Sequence, residues 1–168
     1  AAKAGASVPF FRSFKNSDDT ATTAAVLVEV LGKTDGLRFS AACCIYPTAP
    51  LIRMESLERG LQILEENDFQ CVFPVVPFGF SVWRGLRREG ESIQPCWPEN
   101  YLKRSQDLET IYHDAGQFYW FRPHDLTEQR TLMMNRTGSV LLSEMEVQDI
   151  DTESDWQLAE LKYRLMHG

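Results

Sequence analysis

Apolar positions along the chain alternate between two periods, one helical and one extended, and this alternation predicts an α/β layer fold with mostly parallel strands. From about Thr20 to Leu31, the residues Val26, Leu27, Val30 and Leu31 share one helical face, with Ser17, Asp18 or Asp19 placed to cap the start and Gly32 placed to end it. Phe39 to Tyr46 reads as a strand buried on both faces, and Pro47 and Pro50 force a loop at its end. Leu57, Leu61 and Leu64 then define a helix from about Met54 to Glu66, closed by Asn67 and Asp68. Phe69 to Val76 is the next strand, and Pro77 to Trp83 continues extended. From Arg84 to Asp114 the pattern breaks around Gly85, Gly90, Pro95 and Pro98, which predicts an arm that leaves the core. Order returns with a strand at Gln117 to Phe121, a short helix near Pro123 to Gln129 and a strand at Ser139 to Leu142. The last helix, Thr152 to His167, takes Thr152 as N-cap and Asp155 at its third position, with Trp156, Ala159, Tyr163 and Met166 as the inner stripe.

Composition narrows the class. A chain of 168 residues, 43% apolar and 24% charged, suits one globular domain with a proper core. The longest uncharged run, Phe69 to Trp83, is short for a membrane span and is interrupted by Pro74, Pro77 and Gly79. The net charge is −7, and most of it lies from Glu144 onward, so the surface repels a phosphate backbone and nucleic-acid binding is not expected. Cys43 and Cys44 are adjacent, Cys71 and Cys96 are isolated, and no Cys-x-x-Cys or histidine ligand spacing occurs. That pattern predicts reduced, buried thiols in a cytoplasmic protein. Ala1 to Ala6 reads as the tail of a helix, and the Gly-rich strand-to-helix loop of nucleotide-binding α/β sheets is absent.

Four segments carry candidate chemistry. In Asp149-Ile150-Asp151-Thr152 the two carboxylates stand at i and i+2, so in an extended segment they point to one side and suit Mg²⁺; the same acids also serve as helix-start caps. Tyr46-Pro47-Thr48-Ala49-Pro50-Leu51-Ile52-Arg53 is a rigid loop after a strand, where open α/β sheets bind ligands and where prolines also occur for structural reasons. Arg104-Ser105-Gln106-Asp107 contains a guanidinium able to fork onto an anion, and Tyr112-His113-Asp114-Ala115-Gly116-Gln117 is dense in polar groups. Both are equally readable as solvated turns. Neither a Ser-His-Asp nor a Cys-His set can be assembled around His113, His124 or His167.

Taken in order, these runs resemble the cytidylyltransferases that activate nonulosonic acids, and most closely the pseudaminic acid cytidylyltransferases. The resemblance is carried by Gly5-Ala6-Ser7-Val8-Pro9-Phe10, Ser17-Asp18-Asp19-Thr20, Tyr46-Pro47-Thr48-Ala49-Pro50-Leu51-Ile52, Arg104-Ser105-Gln106-Asp107-Leu108-Glu109, Tyr112-His113-Asp114-Ala115-Gly116-Gln117-Phe118-Tyr119-Trp120, and Val147-Gln148-Asp149-Ile150-Asp151-Thr152 followed by Asp155-Trp156 and Ala159-Glu160. It covers almost the whole chain. It implies a nucleotide-diphospho-sugar transferase-like (Rossmann-like) three-layer α/β fold over residues 1–168, with its N-terminal strands missing: about 60 residues, or two strand–helix units, including the phosphate loop.

The reaction implied is attack of the anomeric hydroxyl of a nonulosonate on the α-phosphate of CTP, giving a CMP-sugar and pyrophosphate. The resemblance makes Asp149 and Asp151 the catalytic Mg²⁺ ligands. It places Tyr46, Thr48, Arg104, Gln106, Gln117 and Tyr119 against the sugar substrate, and Asp19, Thr22 and Thr23 on the cytidine side. It also makes residues 84–114 a dimerisation arm and the protein a homodimer. Tyr46 and Ala49 resemble the pseudaminate subgroup, since sialate-activating relatives usually carry Gln and Ser there. The alternatives are a sialate or legionaminate synthetase, and a non-catalytic sugar-binding or dimerising fragment.

Overall fold

The structure, a computed structural model, describes residues 2–168; Ala1, part of the expected helix tail, lies outside the described residues. Its regular elements are α1 (Thr23–Lys33), β1 (Ala42–Ile45), α2 (Met54–Glu66), β2 (Cys71–Pro77), β3 (Leu86–Glu89), β4 (Ser92–Pro95), α3 (Pro98–Tyr101), β5 (Tyr112–Asp114), β6 (Phe118–Phe121), α4 (Pro123–Gln129), β7 (Thr137–Leu141) and α5 (Glu153–His167). Five strands form a sheet in the order β1-β6-β2-β5, with β7 also on β2, while β3 and β4 form a separate hairpin. By backbone contacts the chain divides into two compact units: the residues up to Cys44 with Leu61–Val72 and Tyr119–Gly138, and Ile45–Gly60 with Phe73–Phe118 and Ser139–Gly168. Among the described residues no helix is long and apolar enough to cross a membrane.

In the first unit, Leu64, Cys71, Val72, Phe121 and Leu126 are buried. The start of β2 runs antiparallel to β6, with Cys71 opposite Phe121 and Val72 opposite Trp120. Just before β2, the buried Gln70 joins three segments: its side-chain amide donates to Asp125, and its oxygen accepts from Gln129 Nε2 (3.0 Å) and the Arg136 amide (3.3 Å). Arg122 caps the same region by donating to the carbonyls of Phe69 and Leu64, both at 3.0 Å. These bonds satisfy polar groups that would otherwise be buried without partners. The segment before α1 is tied to the helix by Glu29, which accepts from Ser13 N and Oγ (2.8 Å each), from Asn16 and from Lys33.

In the second unit the end of β2 pairs antiparallel with β5, Val75 opposite Asp114 and Pro77 opposite Tyr112. Pro74 has no N–H to give, but its carbonyl accepts from Ala115 N at 3.0 Å, and Val75 O accepts from Leu142 N at 2.9 Å. Leu51, Val76, Phe118, Val140, Leu142 and Ala159 are buried here. The β3–β4 hairpin turns at Gly90-Glu91, where Gly90 takes φ 61° in the first loop position, the one that a type II′ turn reserves for glycine. Trp83 and Trp97 pack edge to face at its base, ring centroids 5.4 Å apart.

Several expectations are corrected. The pairings of β2 with both β5 and β6 are antiparallel, not those of a mostly parallel sheet: the chain returns to β2 through the β3–β4 hairpin and the short α3 rather than through a long crossover helix. Helix α1 starts later than expected and is capped by Thr22, whose side chain accepts from Ala25 N. Asp18 instead closes its own turn onto Thr20 N and Oγ1 (2.9 and 2.8 Å). The helix also passes through Gly32 to Lys33. Strand β1 is shorter than predicted and only half-buried, with Phe39 left outside it at 51% exposure. Residues 77–83 bend into a 3-10 turn at Val82–Arg84 rather than continuing extended. Along the inner stripe expected of α5 only Ala159 is buried; Trp156 and Tyr163 are 53% and 50% exposed. Among the described residues no cysteine pairs in a disulfide, and only Cys71 of the four is fully buried.

Two outcomes follow from these contacts. A Cβ built on Gly138 would sit 2.6–2.7 Å from the Phe69 ring, so Gly138→Ala should cost about 1–3 kcal/mol, seen as a lower urea midpoint. Hydrogen bonds from Lys33, Ser13 and Asn16 hold the Glu29 carboxyl down at about 2 from its ordinary 4.5. Its stabilising contribution is therefore complete above pH 4.5 and disappears as the pH falls through about 2, which a carboxyl NMR titration of Glu29 would register.

Candidate active site

Chemistry at the candidate site starts from a cavity of about 370 Å³ in the second unit, bordered by the end of β2, by β5 and by the segment leading into α5. Asp149, Asp114, Glu144, His113, Gln148 and Lys162 contribute to its wall. The His113 ring packs tilted against Phe78 at a centroid distance of 4.7 Å, and its Nδ1 lies 2.9 Å from Asp114 O. Gly116, at φ 63°, lets the chain turn so that its amide reaches Asp114 Oδ1 at 2.8 Å.

The Asp149 segment is a loop, not a strand, so the i, i+2 alternation expected there does not apply. Asp149 lines the cavity, whereas Asp151 is exposed, with its amide donating to Asp155 Oδ2 at 3.2 Å. The next residue caps α5: Thr152 Oγ1 accepts from Asp155 N at 3.3 Å, and Asp155 accepts from Thr152 N at 2.9 Å. Among the described residues no three His, Cys, Asp or Glu side chains converge as a preformed metal cage. Two hard carboxylate donors, one of them on a polar cavity, are nonetheless the protein contribution that Mg²⁺ accepts, since it keeps waters and binds substrate phosphates for the rest of its octahedron.

The upstream side of this loop is a 3-10 turn, Glu144–Glu146, closed by a capping box between Ser143 and Glu146. Burial pushes the Glu146 carboxyl up, but bonds from Ser143 N and Oγ and the Arg53 guanidinium outweigh it and hold it below its ordinary value. Gln117, only 3% exposed, donates its side-chain amide to Glu146 O, and its main-chain carbonyl accepts from Tyr46 N at 2.8 Å. Lys162 donates to Glu144 O (2.9 Å) and Val147 O (2.6 Å). Neither Lys162 nor Glu144 stood out in the sequence. The available signal was a lysine falling in the stripe Ala159, Lys162, Tyr163, Met166 of an otherwise apolar helix face.

The remaining expected site residues are placed as follows. Tyr46 is half-buried and Thr48 exposed on the proline loop after β1, with Ala49 and Leu51 turned inward. Gln106 lines a second cavity of about 230 Å³ with Ser81, Ser105 and Glu109. Arg104 is exposed, and its fork is occupied by Asp107 (Nε to Oδ2 2.8 Å, Nη2 to Oδ1 3.1 Å). Tyr119 is buried in β6 in the first unit, where Asp19, Thr22 and Thr23 also lie at the start of α1. The second unit thus brings Asp149 together with His113, Asp114 and Lys162, and leaves Arg104, Gln106 and Thr48 off that cavity wall. Burial, with Cys44 adding to it, drives the Cys43 thiol up to about 12, so it is not a nucleophile near neutrality.

No protein-family model matches the chain. It is 30% identical over 171 residues to the pseudaminic acid cytidylyltransferase of Campylobacter jejuni subsp. jejuni serotype O:2, covering 99% of this chain and 73% of that relative, and equally so to its counterpart in serotype O:23/36. It is 27% identical over 167 residues to the CMP-N,N'-diacetyllegionaminic acid synthase of Legionella pneumophila, covering 93% of this chain and 68% of that one. The solved structure of CMP:2-keto-3-deoxy-manno-octonic acid synthetase complexed with CTP is similar with a TM-score of 0.58 over 88% of this chain and 69% of that one, at 12% identity, so this chain has the nucleotide-diphospho-sugar transferase fold. With that fold and that identity along nearly its full length, the chain belongs to the pseudaminic acid cytidylyltransferase family.

Proposed function

We propose that the protein transfers CMP from CTP to the anomeric hydroxyl of a nonulosonic acid of the pseudaminate class. The observation that carries this reading is the identity to the Campylobacter enzymes over 99% of the chain, with Asp149 set in a polar cavity of the kind such a reaction needs. The sugar oxygen forms a bond to the α-phosphorus as the bond to the β-phosphate oxygen breaks. Pyrophosphate leaves with the electron pair and the hydroxyl gives up its proton. Such a transfer depends mainly on alignment and on neutralising charge.

Asp149 and Asp151 are the residues that would hold Mg²⁺, which when bound screens the phosphates and polarises the reacting oxygens. Tyr46, Thr48 and Gln106 offer hydroxyl and amide groups suited to a polyhydroxylated sugar. The family resemblance assigns Gln117 and Tyr119 to the sugar as well; both are buried, and the Gln117 amide is taken up by Glu146 O. Asp19, Thr22 and Thr23 serve the cytidine side, with Thr22 also capping α1. Arg104 would exchange Asp107 for a substrate or partner carboxylate or phosphate. The exposed hairpin and its flanks, residues 84–114, are the arm of a homodimer, and residues 1–168 act as one cytidylyltransferase domain in the cytoplasm.

Pyrophosphate release from CTP with pseudaminate and Mg²⁺ tests the reading in one assay. The expected result is turnover with pseudaminate well above that with N-acetylneuraminate or a legionaminic acid; equal rates would move the assignment to the legionaminate or sialate class. Asp149→Asn should lower kcat by at least about a hundredfold, as loss of an electrostatic stabiliser of the transition state does, with little change in thermal midpoint. Full Mg²⁺-dependent turnover by that variant would remove Asp149 from the mechanism.

A further inference from the structure

The Asp149–Asp151 loop is fastened at both ends to one helix, α5. Downstream, the Asp155 carboxylate accepts from the amides of Asp151 (3.2 Å) and Thr152 (2.9 Å). Upstream, Lys162 Nζ reaches two main-chain carbonyls, Glu144 O and Val147 O, the latter two residues before Asp149. An ammonium has three donors and no acceptor, so two carbonyls turned toward it leave the backbone between them little freedom, and charged donors make the stronger bonds. Lys162 borders the same cavity as Asp149, with Glu144 and Asp114 also on its wall. The hydrogen bonds that Lys162 makes to the loop go to main-chain oxygens, so they hold its backbone directly.

We propose that Lys162 is a positioning residue for the Asp149 and Asp151 carboxylates: it locks the loop onto α5 and so presents both acids to a divalent cation. This inference rests on the metal-holding role proposed for that pair. Outer partners that orient metal-binding groups typically change metal affinity by about 10–100-fold when removed. Lys162→Met should therefore weaken binding as the loss of a ligand's support does, while leaving the carboxylates in place.

The test uses the full chain with CTP present and reads Mn²⁺ affinity from the free-ion EPR signal, alongside amide hydrogen exchange over residues 144–151. In Lys162→Met, Mn²⁺ affinity should fall by about tenfold and exchange over that loop should rise. Lys162→Arg, which keeps charged donors within reach, should recover most of both. If Lys162→Met does not fold, Lys162→Gln, which is shorter and neutral, carries the same expectation. A faster-exchanging loop with unchanged Mn²⁺ affinity would reduce Lys162 to a structural fastening and overturn the proposal. Asp149→Asn separates the two readings: if it binds Mn²⁺ like the unsubstituted chain, the metal-holding role fails and this inference with it. If it loses Mn²⁺ and Lys162→Met does not, only the role of Lys162 falls.

Discussion

Main-chain carbonyls of the short turn from Glu144 to Val147 need donors, and the way they are supplied organises the second unit. The turn is too short to pair its own oxygens as a regular helix does, and an unpaired carbonyl held away from water costs about 1–3 kcal/mol. Gln117 supplies one donor from the start of the β6 segment and Lys162 supplies two from α5. Because the Gln117 carbonyl also receives Tyr46 N, and Arg53 pairs with Glu146, the proline loop and the acidic loop are fixed to a common element. Loops that must face a ligand are usually mobile. Here two loops are tied to one short turn.

The same arrangement separates two kinds of polar residue that a sequence presents alike. Thr48 and Gln106 are exposed on loops and have groups to offer a ligand, whereas Gln117 is buried and its amide is engaged by a backbone oxygen. Both kinds fall within the runs that carry the family resemblance. A buried amide in such a run is under constraint because it holds the backbone that other residues hang from, and its replacement would disturb geometry before it disturbed contact.

What could be read from the sequence was what is decided locally. Helices α2 and α4 were legible to the residue because heptad-like leucines or an initial proline set their limits, and the Thr152–Asp155 capping box is a contact between residues three apart. Strand ends were less legible: β1 begins only at Ala42, with Phe39 and Ser40 in a bend that follows the 3-10 turn Gly36–Arg38. The hairpin of β3 and β4 lies open to solvent on both faces, so it carries no hydrophobic alternation, and Gly90-Glu91 alone hinted at it. Strand direction escaped for a related reason: the long arm could return on either side of β2, and only tertiary pairing decides that it comes back antiparallel. Asp149, which lines the cavity, stands out in the sequence, but Lys162 and Glu144 do not, because their meeting bridges 18 residues and involves a backbone oxygen that leaves no mark on residue type.

Placing carboxylates on a loop rather than on a strand has a physical consequence for the family's chemistry. A strand would fix both side chains by its ladder, whereas a loop holds Asp149 toward the cavity and leaves Asp151 at the surface. A cation that takes most of its oxygens from water and phosphates needs only part of its shell from the protein, so under the proposed metal-holding role this loop need not be a complete cage. On that reading the protein's share is chiefly to limit the loop's freedom. The bonds from α5 to both ends of the loop do this without adding a third acidic side chain to a region that already carries most of the molecule's net negative charge.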